Sequence, residues 1–261
     1  MDNLFRKAEN YKAPSTILYR SIEFKFLKKI VMKYLGKRPV LDLGCGEGIA
    51  SVSILKLPVD FGLDNDAYFA KKAEEGKIYK KVIFANAKNI PLKDASVNLV
   101  FSNSVIEHIA DVNKVIREVA RILKTDGYFI FTAPSDNFKK YNVFSWLKIN
   151  WLAKNYGEKR EKKFNHFHCY SIKKWSKILD KEKLVLFKGY YYLNKETIEF
   201  WDFLLILFYL ISKINTGFGD YLYAKFFRKR IFQRFITSKE ENSKGAAICV
   251  LARKCRVIVN S

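Results

Sequence analysis

The sequence contains few of the residues that build metal clusters or disulfide frameworks. Its four cysteines, Cys45, Cys169, Cys249 and Cys255, are scattered among 261 residues, and no two of them have the Cys-x-x-Cys spacing. This distribution indicates neither a zinc site nor a disulfide-stabilised fold. We therefore expect a protein of a reduced, cytoplasmic compartment.

Apolar runs long enough to cross a bilayer are also missing. The longest uninterrupted run, 203–211, has nine residues, whereas a membrane-spanning helix needs about 20. Residues 1–20 contain early charges and no continuous apolar core, so we predict no signal peptide. We expect a cytoplasmic protein whose membrane contact, if it has one, is peripheral and at the inner face of the membrane.

Acidic residues are scarce relative to basic ones. The chain has 26 Asp and Glu against 48 Lys and Arg, a net charge of +22, which favours polyanionic surroundings such as nucleic acid or an anionic bilayer. Its 49% hydrophobic and 28% charged residues are typical of globular proteins, which excludes general disorder and a polytopic membrane protein. A chain of this length can form one large domain, or one domain with an insertion.

Short apolar segments alternate with helical patterns from Pro39 onwards. Such alternation is typical of a parallel sheet covered by helices on both faces. We predict an N-terminal helical segment over 1–38, an α/β domain over 39–193 and 244–256, and a helical insertion over 194–243, before the last strand. The seven predicted strands are 39–43, 59–63, 81–85, 97–102, 128–133, 184–193 and 246–252.

Three glycines follow the first predicted strand, where the chain turns into a helix. Gly44, Gly46 and Gly48 leave room for a ligand to approach the backbone. The helix that follows presents free N–H groups to an anion, here a carboxylate. The dinucleotide fingerprint GxGxxG would require glycine at position 49, which is Ile49, so the spacing disfavours NAD.

The second predicted strand is followed by Asp64, at the same edge of the sheet. A carboxylate there can accept hydrogen bonds from both hydroxyls of a ribose, which together with the glycine loop indicates a nucleoside ligand. The chain resembles class I S-adenosylmethionine-dependent methyltransferases, of the broad group that includes the methyltransferases of ubiquinone and menaquinone biosynthesis. The resemblance covers about two thirds of the chain and rests on VLDLGCGEG, FGLDND, FANAKNIPLKDASVNLVFSNSVIEHI, REVARILKTDGYFIFTAP, HFHCYSIKKW and AAICVLARK, in that order.

The resemblance implies a Rossmann-like, seven-stranded, mostly parallel sheet and S-adenosyl-L-methionine as the cofactor. The glycine loop would surround the methionine moiety, with Asp42 hydrogen-bonding nearby, while Asp64 would hold the ribose and Asn65 would border the adenine. Asn86 stands where the family usually has an Asp that contacts the adenine amino group, and its carbonyl oxygen can still accept. Asn98 likewise replaces a common Asp. The predicted cofactor-binding residues are Asp42, Gly44, Cys45, Gly46, Gly48, Asp64, Asn65, Asn86, Ala87 and Asn103.

The chemistry of methyl transfer narrows the search for a catalytic group. Displacement at a sulfonium depends mainly on alignment, although an oxygen acceptor can use a general base such as histidine. His108 follows the fourth strand, at the expected substrate end of the pocket, and is our candidate base. The alternative is a loop histidine bonded to its own backbone. His166 and His168 precede a helix and are expected to pack or to line the pocket.

The same region bears on metal binding. Some quinone-type O-methyltransferases hold a metal on a Glu-x-x-Glu-His motif, and the matching stretch here is Ser104-Val105-Ile106-Glu107-His108. The first carboxylate is missing, which leaves two candidate ligands for a hard cation. We predict no metal.

The insertion suggests where the acceptor comes from. Ile198–Ile214 is strongly apolar, and 221–235 mixes aromatic residues with Lys225, Arg228, Lys229, Arg230 and Arg234. This composition suits a helix in the headgroup region of an anionic membrane, and it equally suits a soluble lid that packs on the sheet.

We predict a membrane-surface methyltransferase that acts on an apolar or lipid-linked small molecule at oxygen. The alternatives are a methyltransferase for RNA, a glycan or a soluble metabolite, and a catalytically silent cofactor-binding scaffold. The nucleic-acid interpretation is weaker, because no recognised RNA-binding module accompanies the methyltransferase motifs.

Overall fold

The computed structural model describes residues 14–34, 36–55, 58–214 and 244–255. The described helices are α1 Pro14–Val31, α2 Ile49–Ile54, α3 Ala67–Glu75, α4 Val112–Ile122, α5 Val143–Trp146, α6 Asn150–Lys163, α7 Ile172–Asp180 and α8 Lys195–Ile214, with a 3-10 turn at Ile106–His108. The described strands are β1 Val40–Leu43, β2 Val59–Asp64, β3 Tyr79–Phe84, β4 Val97–Asn103, β5 Leu123–Pro134, β6 Leu184–Tyr192 and β7 Ala247–Lys254.

The strands form one seven-stranded sheet in the order β3-β2-β1-β4-β5-β7-β6. The first five strands pair in parallel, and β7 runs antiparallel to both β5 and β6. This confirms the predicted Rossmann-like, mostly parallel sheet. Because the strand order reverses between β1 and β4, a crevice opens at the carboxyl ends of these two strands, the usual ligand position in such sheets.

Alternate residues along the central strands pack into two separate cores. On β5, Tyr128 and Ile130 face the core that contains α1, whereas Phe129 and Phe131 face the core that contains α4 and α7. On β7, Cys249 belongs to the first of these cores. Both faces of the sheet are therefore covered, as a buried parallel sheet requires.

Several helix boundaries follow the capping signals in the sequence. Asp66 accepts hydrogen bonds from the backbone N–H groups of Tyr68 and Phe69 at the start of α3. Asp111 and Ser171 cap α4 and α7 in the same way, through the N–H groups at 114 and 174. Such caps satisfy backbone donors that the helix itself leaves unpaired.

Two helices end for local reasons. The helix α4 ends at Ile122 because Leu123 already pairs with Val97 of β4. The helices α5 and α6 are separate. Lys148 between them has a φ of 59°, and this left-handed conformation cannot continue a right-handed helix.

The described part of the predicted insertion is α8, which packs against α1. Its buried residues include Ile198, Trp201 and Leu204, which join the core on that face of the sheet. Within the described ranges, no helix is both long and apolar enough to span a bilayer. The rest of the insertion, including the basic aromatic stretch 221–235, lies outside the described residues, and the division into segments stays a prediction.

Candidate active site

A cavity of about 450 Å³ opens at the carboxyl ends of β1, β2 and β4. Five of the predicted cofactor-binding residues line it, together with Ser104 and the candidate base His108. These five lie at the carboxyl ends of β1, β2 and β3 or in the turns that follow these strands. They are Gly44, Asp64, Asn65, Asn86 and Ala87.

The glycine loop adopts a backbone that other residues rarely tolerate. Gly44, Gly46 and Gly48 have φ angles of 74°, 52° and 81°, in the left-handed region that glycine enters at little cost. A Cβ on Gly44 would lie 2.4 Å from Cγ1 of Val105, whereas a Cβ on Gly46 would meet nothing within 4 Å. Gly44 is thus required for packing, and Gly46 borders open space.

Asp64 connects the glycine loop to the end of β2. Its Oδ2 accepts a hydrogen bond of 2.8 Å from the N–H of Gly46, and its Oδ1 accepts one of 3.0 Å from the N–H of Asp66. A carboxylate has about four lone-pair sites, so Asp64 keeps acceptor capacity on the side that faces the cavity. That capacity is what a ribose diol would use.

The other predicted cofactor residues are not among those that line this cavity. Asp42 is buried beneath the loop, where its Oδ2 accepts hydrogen bonds from the hydroxyls of Ser51 and Tyr79. Burial raises the pKa of Asp42 to about 6. Cys45 is also buried, and burial raises the pKa of its thiol well above the usual value, which leaves it an unreactive packing residue.

Asn103 and Asn98, the two asparagines of β4, bond elsewhere. The amide of Asn103 donates to Glu23 over 3.2 Å, and its carbonyl accepts from Thr132 over 3.0 Å. Asn98 donates to the backbone carbonyl of Arg38, at the opposite end of the sheet from the cavity. These contacts give both asparagines a structural role.

A second cavity, of about 180 Å³, adjoins the first. Ser104 and His108 line both cavities, so they mark the boundary between them. The wall of the second cavity is largely aromatic, with polar groups on one side. It includes Tyr19, Phe138, Phe164 and Trp201, with Arg20, Glu107 and His166 as the charged or titratable members.

The polar side of the second cavity rests on a buried carboxylate that we did not predict. Glu23 of α1 is fully buried and accepts hydrogen bonds from Ser104 Oγ at 3.1 Å and Tyr192 Oη at 2.7 Å. It also pairs with Arg20, whose guanidinium donates to Ser104 over 3.1 Å. The only local signal was that Glu23 is the single acidic residue of α1 and lies three residues after Arg20.

Three titratable side chains meet at the boundary of the two cavities. Candidate ligand atoms of Glu107, His108 and His166 all lie within 4.8 Å of one another. Burial raises the pKa of Glu107 to about 8 and lowers that of His166 to about 4. Burial also lowers the pKa of His108, so both imidazoles are neutral at pH 7.

The third histidine is structural. Nε2 of His168 lies 2.9 Å from the carbonyl oxygen of Ile109, and its Nδ1 lies 3.1 Å from the hydroxyl of Tyr170. Both ring nitrogens are therefore engaged by the protein. His166, in contrast, lines the second cavity, one of the two positions that we expected for it.

Comparison with known proteins identifies related sequences. Residues 41–131 match the model of a family described as a methyltransferase domain. An uncharacterized protein of Methanocaldococcus jannaschii is 28% identical over 206 residues, which cover 78% of this chain and 76% of that protein. A malonyl-[acyl-carrier protein] O-methyltransferase of a Methylovorus species is 28% identical over 148 residues, 52% of this chain and 50% of that enzyme. The chain thus matches only about half the length of this named relative.

A solved structure shares the whole fold. A methyltransferase of Thermotoga maritima, described as S-adenosylmethionine-dependent and as a possible histamine N-methyltransferase, superposes with a TM-score of 0.61. It is 19% identical, and the superposition covers 96% of this chain and 98% of that one. At this identity the likeness shows the fold alone. The name of the malonyl-[acyl-carrier protein] enzyme gives oxygen as the methylated atom, whereas the description of the Thermotoga maritima protein gives nitrogen.

Proposed function

Because this chain belongs to the class I S-adenosylmethionine-dependent methyltransferases, we propose that it methylates an apolar or lipid-linked small molecule, at oxygen, on the surface of an anionic membrane. One observation carries the proposal: the cleft at Gly44 and Asp64 shares Ser104 and His108 with an aromatic cavity. A methyl donor in the first cavity and an acceptor in the second would meet at that boundary.

The arrangement suits a transfer that depends on alignment. An in-line displacement needs the acceptor atom, the methyl carbon and the sulfur held in order, and positioning of this kind lowers the barrier by several kcal/mol, on the order of 10 at most. Ser104 is fixed by hydrogen bonds to Glu23, Arg20 and Thr132. These hydrogen bonds hold Ser104 in place at the boundary between donor and acceptor.

The lining of the second cavity supports an apolar acceptor. Phe138, Phe164 and Trp201 pack against one another, with ring centroids 5.8–6.5 Å apart. Aromatic walls favour a ligand of low polarity, and a few placed polar groups fix its orientation. Here those groups are Arg20, Glu107 and His108.

We assign to His108 the role of general base toward an acceptor hydroxyl. It lies at the boundary of the two cavities, and its Nδ1 lies 3.2 Å from the carbonyl oxygen of Asn165. That contact assigns the ring proton to Nδ1 and leaves Nε2 as an acceptor. In this state the imidazole can take up a hydroxyl proton as the methyl group is transferred.

An exposed apolar surface near α8 supports contact with a membrane. We define it as Trp146, Leu147, Ile149, Trp151, Tyr209 and Leu210, each of them between 37% and 70% exposed. Trp146 contacts Phe203 of α8, and Lys163 of α6 lies over the ring of Tyr209, so these elements form one surface. Exposed lysines flank it, at 148, 154, 159, 162 and 163.

This composition is that of an interfacial membrane element. Tryptophan and tyrosine favour the headgroup level of a bilayer, and each nearby cation adds about 1 kcal/mol on an anionic surface. The basic aromatic stretch 221–235 would extend the same surface, although it lies outside the described residues. A soluble lid is the competing interpretation of α8.

The experiment that tests the acceptor uses methyl-labelled S-adenosylmethionine with fractionated lipid, RNA and aqueous metabolite extracts. We expect label in the lipid fraction, with the labelled methyl group bonded to oxygen. A methyl ether would keep the label in alkali, whereas a methyl ester would lose it. Label confined to RNA or to the aqueous fraction would overturn the proposed acceptor. Cofactor binding without transfer to any fraction would identify a silent scaffold.

A further inference from the structure

We propose that Glu107, His108 and His166 form a binding site for a divalent transition-metal ion in the wall of the aromatic cavity. The ion would take one carboxylate oxygen and two imidazole nitrogens. Its remaining coordination positions would face the cavity. This proposal departs from our prediction of no metal. The sequence has Ser104 in place of the first carboxylate of the Glu-x-x-Glu-His motif, but the structure brings His166, from a distant segment, beside Glu107 and His108.

The spacing of the three side chains fits a shared ion. Their candidate ligand atoms lie within 4.8 Å of one another. Ligands about 2.1 Å from one ion lie about 3–4 Å apart, so small rotations of the side chains would close the set. The backbone already holds the segments together, since the N–H of Phe167 donates to the carbonyl of Glu107 over 2.8 Å.

Buried polar atoms without partners point to a missing ligand. Oε2 of Glu107 and Nδ1 of His166 are both buried and have no hydrogen-bond partner among the described residues. Glu107 is only 2% exposed. Buried polar atoms are normally satisfied, because leaving them unpaired costs free energy. A cation between them would satisfy both.

The surroundings of His108 are those of a metal ligand. Its Nδ1 donates to the Asn165 carbonyl, and its Nε2 lies 3.8 Å from Oε1 of Glu107. Metal-binding histidines almost always donate their other ring nitrogen to a carbonyl or carboxylate, which fixes the tautomer and the ring orientation. The lone pair of Nε2 is thereby directed toward the carboxylate.

The positively charged neighbours of the cluster have carboxylate partners of their own. Arg20 forms an ion pair with the buried Glu23, and Arg160 forms one with the buried Asp202 over 2.6 Å. These pairings reduce the repulsion that the two guanidinium groups would exert on a cation. On binding, Glu107 would lose its proton, and its carboxylate would offset part of the charge of the cation.

The donor set indicates the class of metal. Magnesium and calcium prefer oxygen ligands, whereas two imidazoles and one carboxylate suit zinc, iron, cobalt or manganese and leave positions open. The role of the ion rests on the proposed function. The hydroxyl oxygen of the acceptor would occupy an open coordination position, and the ion would lower the pKa of that hydroxyl. His108 would then be a ligand of the ion, and the hydroxyl proton would pass to water as the methyl group moves to the acceptor oxygen and the demethylated cofactor leaves.

The test uses untagged full-length protein freed of metal by a chelator. Cobalt(II) is titrated with the visible absorption spectrum and calorimetry as readouts, and zinc(II) is titrated by calorimetry. We expect one ion per chain for the wild type, and binding at least about tenfold weaker for His166→Ala and Glu107→Gln. His168→Gln is the matched control, because both nitrogens of His168 are bonded to the protein, and it should bind like the wild type.

Two further measurements keep the outcomes distinct. In nitrogen NMR of the wild type with labelled histidine, zinc should shift the imidazole signals of His108 and His166 more than those of His168. This measurement needs no variant, so it tests the site even if a variant does not fold. Calorimetry with S-adenosylmethionine on the same proteins tests the methyltransferase site independently. Failure of the wild type to bind cobalt or zinc, or unchanged affinity in folded His166→Ala, would overturn the metal site and leave the proposed function standing.

Discussion

The backbone N–H of Gly46 donates a hydrogen bond of 2.8 Å to Oδ2 of Asp64, a residue on the neighbouring strand of the sheet. This contact joins the glycine loop after β1 to the carboxyl end of β2. The predicted binding sites for the methionine and the ribose of the cofactor are thus held at a fixed separation. A single carboxylate both shapes the loop and presents acceptors to the cleft.

Replacing Asp64 should weaken cofactor binding. The Asp64→Ala variant loses the acceptor for the ribose and for the N–H of Gly46, and hydrogen bonds to a charged group contribute about 1.5–3 kcal/mol. We expect the Kd for S-adenosylmethionine to rise about 10- to 100-fold in calorimetry. The matched control is Asp60→Ala, on the same strand but bonded to Arg38 and to the N–H of Val40. Equal losses in both variants would refute a direct role for Asp64.

Replacing His108 should affect turnover far more than cofactor affinity. His108 lies where donor and acceptor would meet, and removing a group that acts on the acceptor proton typically lowers kcat by about 10²–10⁴. We expect this loss in His108→Ala, with the Kd for S-adenosylmethionine changed by less than about threefold. The assay uses the extract fraction that accepts label, with His168→Gln as the control. Wild-type turnover in His108→Ala would remove this residue from the mechanism.

Membrane binding should depend on the exposed tryptophans. The double variant Trp146→Ala/Trp151→Ala removes the largest side chains of the exposed apolar surface, so flotation with anionic vesicles at low salt should fall. Changing Arg228, Lys229 and Arg230 to Ala, outside the described residues, should have a similar effect. Raising the salt concentration should weaken wild-type binding, because screening shortens the reach of the lysines.

The control for the tryptophan variant is Phe187→Ala, which removes an aromatic side chain of 47% exposure from β6. It should float like the wild type. If the wild type does not float with anionic vesicles, α8 is better interpreted as part of a soluble lid. The acceptor then need not be a lipid.

Asp42 should make the stability of the cofactor-free protein depend on pH. Burial raises its pKa from 3.8 to about 6, so the folded protein binds the proton more tightly than the unfolded chain does. The stabilisation is fully present below pH 4 and is lost as the pH rises through about 6. Relative to Asp42→Asn, the wild type should therefore lose about 3 kcal/mol of unfolding free energy between pH 4 and pH 7. Denaturant unfolding at several pH values measures this difference, and a constant difference would contradict it.

The features that the sequence indicates most directly are local or periodic. The glycine loop and Asp64 are short patterns whose backbone requirements can be read directly. The sheet, which the structure confirms, follows from the alternation of strands and helices. Five of the predicted cofactor residues lie in one cleft because parallel strands end at the same edge.

The features that were missed depend on distant segments. Glu23 on α1 meets Ser104 after β4 and Tyr192 on β6, and no spacing in the sequence connects these three positions. His166 reaches Glu107 only because the chain after α6 folds back onto the 3-10 turn. Asn103 stays a predicted cofactor residue, and its partners in the structure, Glu23 and Thr132, also come from distant segments.

The most direct test of the account is calorimetric titration of the wild type with S-adenosylmethionine, its demethylated product and NAD. The GxGxG loop and the carboxylate of Asp64 form a nucleoside cleft, and the loop has Ile49 where the dinucleotide fingerprint requires glycine. We predict that S-adenosylmethionine and its product bind one per chain and that NAD does not bind. Tight binding of NAD with no binding of S-adenosylmethionine would contradict the account.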